Sequence, residues 1–575
     1  MKHLIVCARL SFFIAMAMGA NLAEAQSSLD ILLQKDRSFQ EKEFNQPQQY
    51  FPDVSREAQL NRLSFYKGLL EELRAIDRSA LALEEKINYD LLKYVLEDRV
   101  AQIEYEAYLV PLNAEGGWYS DFLLNIQYLS FSSQADYENY LARLSAFPAY
   151  AQQQMALMRQ GLEKGITAPQ VILKGREKTI DKALIPGDDN PFFQPFLVMP
   201  DGIPAEVQQK LRDQARKTIA DAILPTYTAF HTFWSEAYFP GSQIKIGISA
   251  QPRGEAYYEQ RVQHFTTLPI NADTIFEIGL KEVARIKAEM EAIILELGFE
   301  GSFSEFLSFL RTDPQFYAPT PEALLKEASY IAKKIDGKLP AYFGHLPRNP
   351  YGVSPVPEAI APTYTTGRYS EGSPKDHRAG FYWVNTYNLP ARPLYALPAL
   401  TLHEAVPGHH LQISLAQELP EMSDFRRETY LSAFGEGWAL YCEWLGEEMG
   451  VYANAYERFG RLTYEMWRAC RLVVDPGIHV RGWTRQQAID FLVNNTALSV
   501  HECTTEIDRY IGWPGQAVSY KIGELTIRSL RQKAEQALGE QFRLRDFHDL
   551  VLSQGSIPLF TLEEMVEAWI EKQKQ

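Results

Sequence analysis

Cysteine is scarce in this chain, with four in 575 residues, and Cys7 stands far apart from Cys442, Cys470 and Cys503. The wide spacing excludes a dense disulfide framework and a Cys-x-x-Cys metal pair, and leaves room for one disulfide or none. Packing as small apolar side chains is the expected use of the three. Basic charge is also in deficit: 57 Lys and Arg face 73 Asp and Glu, a net charge of −16. Nucleic acid and anionic membrane surfaces need a basic footprint, so neither is an expected partner. No apolar run reaches the ~20 residues of a membrane span, which argues against stable membrane insertion. A repeat of fixed period is missing, which sets solenoids aside. So is the Gly-x-Ser-x-Gly elbow of a nucleophilic hydrolase.

What remains is the composition of a packed globular protein, 46% apolar and 12% aromatic. The first residues combine a basic start (Lys2, Arg9), an apolar run from Leu10 to Met18, and Ala23-Glu24-Ala25 before Gln26. That order is the pattern of a secretory signal cleaved after Ala25, so the mature chain is expected to be exported to the periplasm or beyond the cell. From Glu57 onward, apolar residues recur at helical spacing, with long runs at Glu84–Glu106 and Ala135–Lys164. In Asp273–Leu297 the stripe Phe276, Leu280, Val283, Met290, Ile294 and Leu297 reads as a core face. Ser302 with Glu305 forms a capping-box pattern, and Thr320-Pro321 sets a cap before a first-turn proline.

The expected fold is therefore mainly all-α. Two segments rich in proline and glycine, Pro186–Pro204 and Arg348–Gly380, read as loops. The first divides an N-terminal helical half, 26–190, from a C-terminal half, 204–575. Phe381–Tyr387 is dense in β-favouring residues, which predicts one short strand or hairpin beside the motif that follows.

That motif is Leu402-His-Glu-Ala-Val-Pro-Gly-His-His-Leu-Gln412. It opens like a zinc-peptidase helix, in which two histidines one turn apart hold the metal and the glutamate after the first acts as general base. Here Pro407 occupies the position of the second histidine, and the next histidines are His409 and His410. On an unbroken helix His410 would return to the face of His403 but roughly 10 Å along the axis, too far to share an ion. Pro407 crowds the carbonyl one turn back, and Gly408 permits an irregular backbone. A bulge absorbing two residues would bring His409 to the second ligand position, leaving His410 as a substrate contact or a supporting donor. The alternative exchanges the two histidines. Glu436, between Gly435 and Gly437, is the third expected ligand, with Glu443 as its alternative; glycines on both sides invite close approach of another backbone.

Further on, Arg468–His479 clusters charge at a helix end, and Arg471 and His479 are candidates to bind a substrate carboxylate or carbonyl, against the alternative of a structural ion pair. Arg509 is a further substrate-binding candidate, and Tyr510 and Tyr520 are the candidate phenols for a developing oxyanion.

His403–His410, Gly435–Tyr441, Arg471–His479 and Trp513–Gly523 together resemble the bacterial family known as domain of unknown function 885, which is similar in fold to helical zinc carboxypeptidases. The resemblance implies an all-helical fold with a deep central groove and membership of the glutamate-ligand zinc peptidases. The expectation is one zinc ion per chain on His403, His409 and Glu436, with Glu404 activating a water against a peptide or small amide. A non-peptidase amide hydrolase and a secreted binding protein without activity are the alternatives. Composition leaves the oligomeric state open.

Overall fold

The computed structural model describes residues 28–44, 49–114, 116–358, 360–419 and 422–575. The expected signal segment and its cleavage point lie outside these residues. Helices dominate, and the fold is mainly α with one small sheet. Among the described residues no helix is long and apolar enough to cross a membrane.

The chain divides into two compact units. The first runs to Tyr257 and takes in Ile511–Trp513, so the irregular segment Pro186–Pro204 falls inside it. Its helices Leu83–Glu104 and Gln134–Lys164 match the two long periodic runs of the sequence. Ser133 and Asp136 cap the latter reciprocally, and Gly165, at φ 69°, ends it in the left-handed conformation that costs glycine least. Trp118, Phe147, Tyr227 and Phe230 fill the core of this unit.

The second unit comprises Tyr258–Tyr510 and Pro514–Gln575. Helix α1, Ala272–Glu296, buries Phe276, Val283, Met290 and Ile294, whereas Leu280 is 39% exposed. Gly279 takes the contact position instead, since a Cβ there would fall 2.7 Å from the side chain of Leu472. The capping box at Ser302 and the Thr320 cap with its first-turn proline both form.

The segment Arg348–Gly380 is not only loop. It holds strands β1, Tyr351–Pro355, and β2, Gly367–Ser370, which flank β3, Gly380–Val384, in the order β1-β3-β2. Strand β3 is the one that the aromatic run predicts. β1 pairs with it in parallel across the whole of that segment, and β2 antiparallel as the other arm of a hairpin. Local composition carries no trace of such partners, and Pro350 and Pro355 sit at the strand's start and end rather than within it.

Helices α2, Leu397–Glu404, and α3, His409–Glu418, follow the sheet. Then come α4, Ser432–Glu448, α5, Ala455–His479, α6, Val500–Gly512, and α7, Ser519–Leu538. α5 lies along α1 and α4 along α7. Gly437 and Gly523 meet at the α4–α7 crossing, where a Cβ on Gly437 would come within 2.6 Å of the Gly523 backbone. The close approach expected beside Glu436 is thus present. Cys442, Cys470 and Cys503 are all free and buried.

Candidate metal centre

The His-Glu motif is split by the bulge that its proline and glycine foreshadow. α2 ends at Glu404, Ala405 leaves helical geometry at φ −93° and ψ −106°, and α3 begins at His409. Gly408 N donates to Leu402 O at 2.9 Å and His410 N to Ala405 O at 3.0 Å, so the irregular turn has its own backbone bonds. A Cβ on Gly408 would lie 1.9 Å from the carbonyl oxygen of His403, which restricts this position to glycine. Trp438 on α4 donates its indole N–H to Pro407 O at 2.9 Å, and so ties the bulge to the helix that carries Glu436.

The result is a convergence of three side chains from α2, α3 and α4. Nε2 of His403 lies 3.4 Å and Nε2 of His409 3.5 Å from the same oxygen, Oε2 of Glu436. One ligand atom from each falls within 4.8 Å of the others. These separations exceed a normal hydrogen bond. The two imidazole–carboxylate distances are close to the ~3.4 Å edge of a tetrahedron whose centre is ~2.1 Å from each corner, the spacing that zinc ligands take.

Electrostatics favour a cation at the same point. Burial opposes a charge on His403, but the carboxylates of Glu436, Glu443 and Glu404 outweigh it and raise the imidazole pKa to about 9. Burial likewise works to raise Glu436, yet His409 and His403 hold its carboxyl well below the usual range. The ring of His403 is oriented from behind, with Nδ1 2.8 Å from Oε1 of the buried Glu443. Glu443 thus stands behind His403 and outside the converging three, the arrangement by which carboxylates fix the tautomer of metal-binding histidines. Glu404 accepts the Tyr369 N–H through Oε2 at 2.8 Å, which anchors one carboxylate oxygen to β2.

The other sequence candidates are distributed differently. His410 is outside the cluster: it is buried, its Nδ1 is 2.9 Å from the Tyr369 hydroxyl, and burial pulls its pKa to about 4. Tyr510 is fully buried, and its hydroxyl accepts from Arg471 Nε at 2.8 Å and Trp467 Nε1 at 3.0 Å while donating to Glu506 at 2.7 Å. Those three bonds use up its capacity and leave no donor for an oxyanion. His479 is buried, with Nε2 3.0 Å from the Tyr510 carbonyl. Arg471 and Arg509 both pair with Glu506, at 3.2 and 2.9 Å. This group is a structural network beneath Tyr520, whose ring Arg471 covers at 4.3 Å. Tyr520 itself is partly exposed, and burial and the charge of Glu436 raise its pKa, so the phenol stays protonated.

Two residues beside the centre escape sequence reading. Tyr430 is 49% exposed, and its hydroxyl points to Glu436 Oε1 from 3.4 Å. It lies against Gly435, where a Cβ would meet its hydroxyl at 2.5 Å. Gly435 is the one sequence signal for it. Arg368, on β2 next to the residue that holds Glu404, is the other.

The arrangement brings together three side chains that could hold one divalent ion, a buried carboxylate beside them, and two protonated phenols.

Three comparisons bear on the whole chain. A putative lipoprotein from Colwellia psychrerythraea shares 28% identity with it and a TM-score of 0.81, over 97% of this chain and 99% of that one. A putative lipoprotein of unknown function from Shewanella oneidensis has the same fold at 19% identity and a TM-score of 0.70, over 94% and 98%. No curated protein matches. Residues 40–566 match the model of the family described as bacterial protein of unknown function, DUF885, and the chain belongs to that family.

Proposed function

We propose that the chain is a zinc-dependent amide hydrolase, acting as a metallopeptidase on a peptide or small amide. The observation that carries this reading is the pair of imidazole nitrogens 3.4 and 3.5 Å from one Glu436 oxygen, with Glu404 following His403 in sequence. His403, His409 and Glu436 would hold the ion. Zinc would supply a Lewis acid that makes water nucleophilic near neutral pH.

The chain's own groups supply the rest. The Tyr369 N–H fixes Oε2 of Glu404, and Oε1 is left to take the proton from the attacking water and hand it to the leaving amine. Tyr430 and Tyr520, both kept protonated, are donors toward the oxyanion that develops at the carbonyl. Glu443 keeps Nδ1 of His403 as the donor, so that Nε2, turned toward Glu436, would be free to bind the ion. The likeness to helical zinc carboxypeptidases belongs to this reading as well. Export rests on the signal-like first 25 residues and agrees with the lipoprotein description of the Colwellia relative.

The test is Glu404→Gln in zinc-loaded protein against a library of peptides and small amides. The variant should keep its zinc and lose turnover by a factor of ~10² or more. Undiminished turnover would remove Glu404 from the mechanism.

A further inference from the structure

Resting on the hydrolase reading above, we propose that Arg368 binds a carboxylate of the substrate close to the amide that is cleaved. The substrate class would then be amides that carry an anionic group beside the reacting carbonyl.

Strand β2 lies at the edge of the sheet, and its side chains alternate. Tyr369 turns inward to His410, and Arg368 stands exposed on the opposite face. The backbone N–H of Tyr369 leaves the strand at its free edge and holds Glu404 at 2.8 Å. Arg368 is therefore the residue adjacent to the anchor of the general base, on the open side of the strand. Across the pair it faces Trp383, whose ring is 6.3 Å from that of Tyr364, so aromatic side chains border the guanidinium.

The other arginines near the centre have carboxylate partners. Arg471 and Arg509 share Glu506, and Arg468 lies 3.7 Å from Glu443. No carboxylate among the described residues is in ion-pair contact with Arg368. Burial opposes its charge, while the Tyr364 hydroxyl, which shares a hydrogen bond with it, and the carboxylates of Glu404 and Glu436 uphold it. A planar fork of donors matches a carboxylate in two parallel hydrogen bonds. The same chemistry could come from a peptide C-terminus or from an acidic side chain.

The experiment is calorimetric titration of the zinc-loaded full chain with succinic monohydroxamate and its neutral methyl ester. The wild type should bind the acid at least ~10-fold more tightly. Arg368→Gln should abolish that preference and Arg368→Lys keep part of it, with zinc content unchanged in both, since the side chain is exposed. Equal affinity for the two probes in the wild type overturns the proposal, and so does a preference that survives Arg368→Gln. Failure of both probes to bind a protein that holds zinc overturns it too. A chain that takes up no zinc fails the hydrolase reading itself, and zinc content separates that failure from the others. Competition by short peptides then identifies the source. Peptides with a free C-terminus should outcompete their amides if the terminal carboxylate is bound, and amidated peptides ending in Asp or Glu should compete if the side chain is.

Discussion

Replacing Glu443 by glutamine tests the support behind the metal centre more sharply than removing a ligand. Its Oε1 lies 2.8 Å from Nδ1 of His403, and the residue is 1% exposed, so no solvent shares the contact. Glu443→Gln keeps the size of the side chain and removes the charge that fixes His403 with its proton on Nδ1. A hydrogen bond to a charged group contributes about 1.5–3 kcal/mol. Loss of such a partner from a metal-binding histidine typically lowers affinity about 10- to 100-fold, equivalent to about 1.4–2.7 kcal/mol. The two ranges overlap, so the main effect should appear in zinc affinity. Arg468, 3.7 Å from the same oxygen, also loses a partner, which adds a smaller folding cost. Competition against a chelator of known zinc affinity reads the first effect, and thermal unfolding with and without zinc reads the second. Glu447→Gln, on the same helix but paired with Arg461, is the control. Zinc affinity in Glu443→Gln within twofold of the wild type would refute the assignment.

Other predictions follow from the same geometry. Gly408→Ala would force a Cβ to 1.9 Å from the His403 carbonyl, so it should cost on the order of 3 kcal/mol or more and abolish zinc uptake, seen by unfolding and metal analysis. Tyr430→Phe should slow turnover by ~10-fold or more, while Tyr510→Phe should leave kcat within a few-fold and lower the melting temperature, because only the former phenol is exposed beside Glu436. Burial pulls His548 down from 6.5 to about 3, with Nδ1 at the Tyr342 carbonyl and Nε2 at the Tyr441 hydroxyl. The unfolded chain binds this proton first, so stability should be full above about pH 6.5. It should fall by up to about 1.4 kcal/mol per pH unit toward pH 3. Melting curves between pH 7 and 4 should show this dependence reduced in His548→Gln; an unchanged slope would exclude His548 as a source.

The helices were legible because periodicity and caps are local. Ser302 with Glu305, and Thr320 before Pro321, mark their helix starts within four residues of sequence. Strands β1 and β2 were not, because their partner β3 is supplied from outside the proline-rich segment that contains them. The same division runs through the candidate centre. His403, Glu404, His409 and Glu436 are recognisable from residue type, from the helix-breaking Pro407-Gly408 and from the glycines around Glu436. What each aromatic or charged side chain spends its hydrogen bonds on is not. Tyr510 has the right chemistry for an oxyanion donor, but Arg471, Trp467 and Glu506 saturate it. Tyr430 lies in irregular backbone just before the helix of Glu436, where no periodicity marks it, and Arg368 lies on an edge strand that long-range packing brings to Glu404.

The most direct test of the account is the zinc content of the purified mature protein by plasma mass spectrometry, beside His403→Ala and Glu436→Ala. The account predicts one zinc per chain in the wild type and none in either variant. No bound zinc in the wild type after zinc is supplied, or zinc retained in both variants, would contradict it.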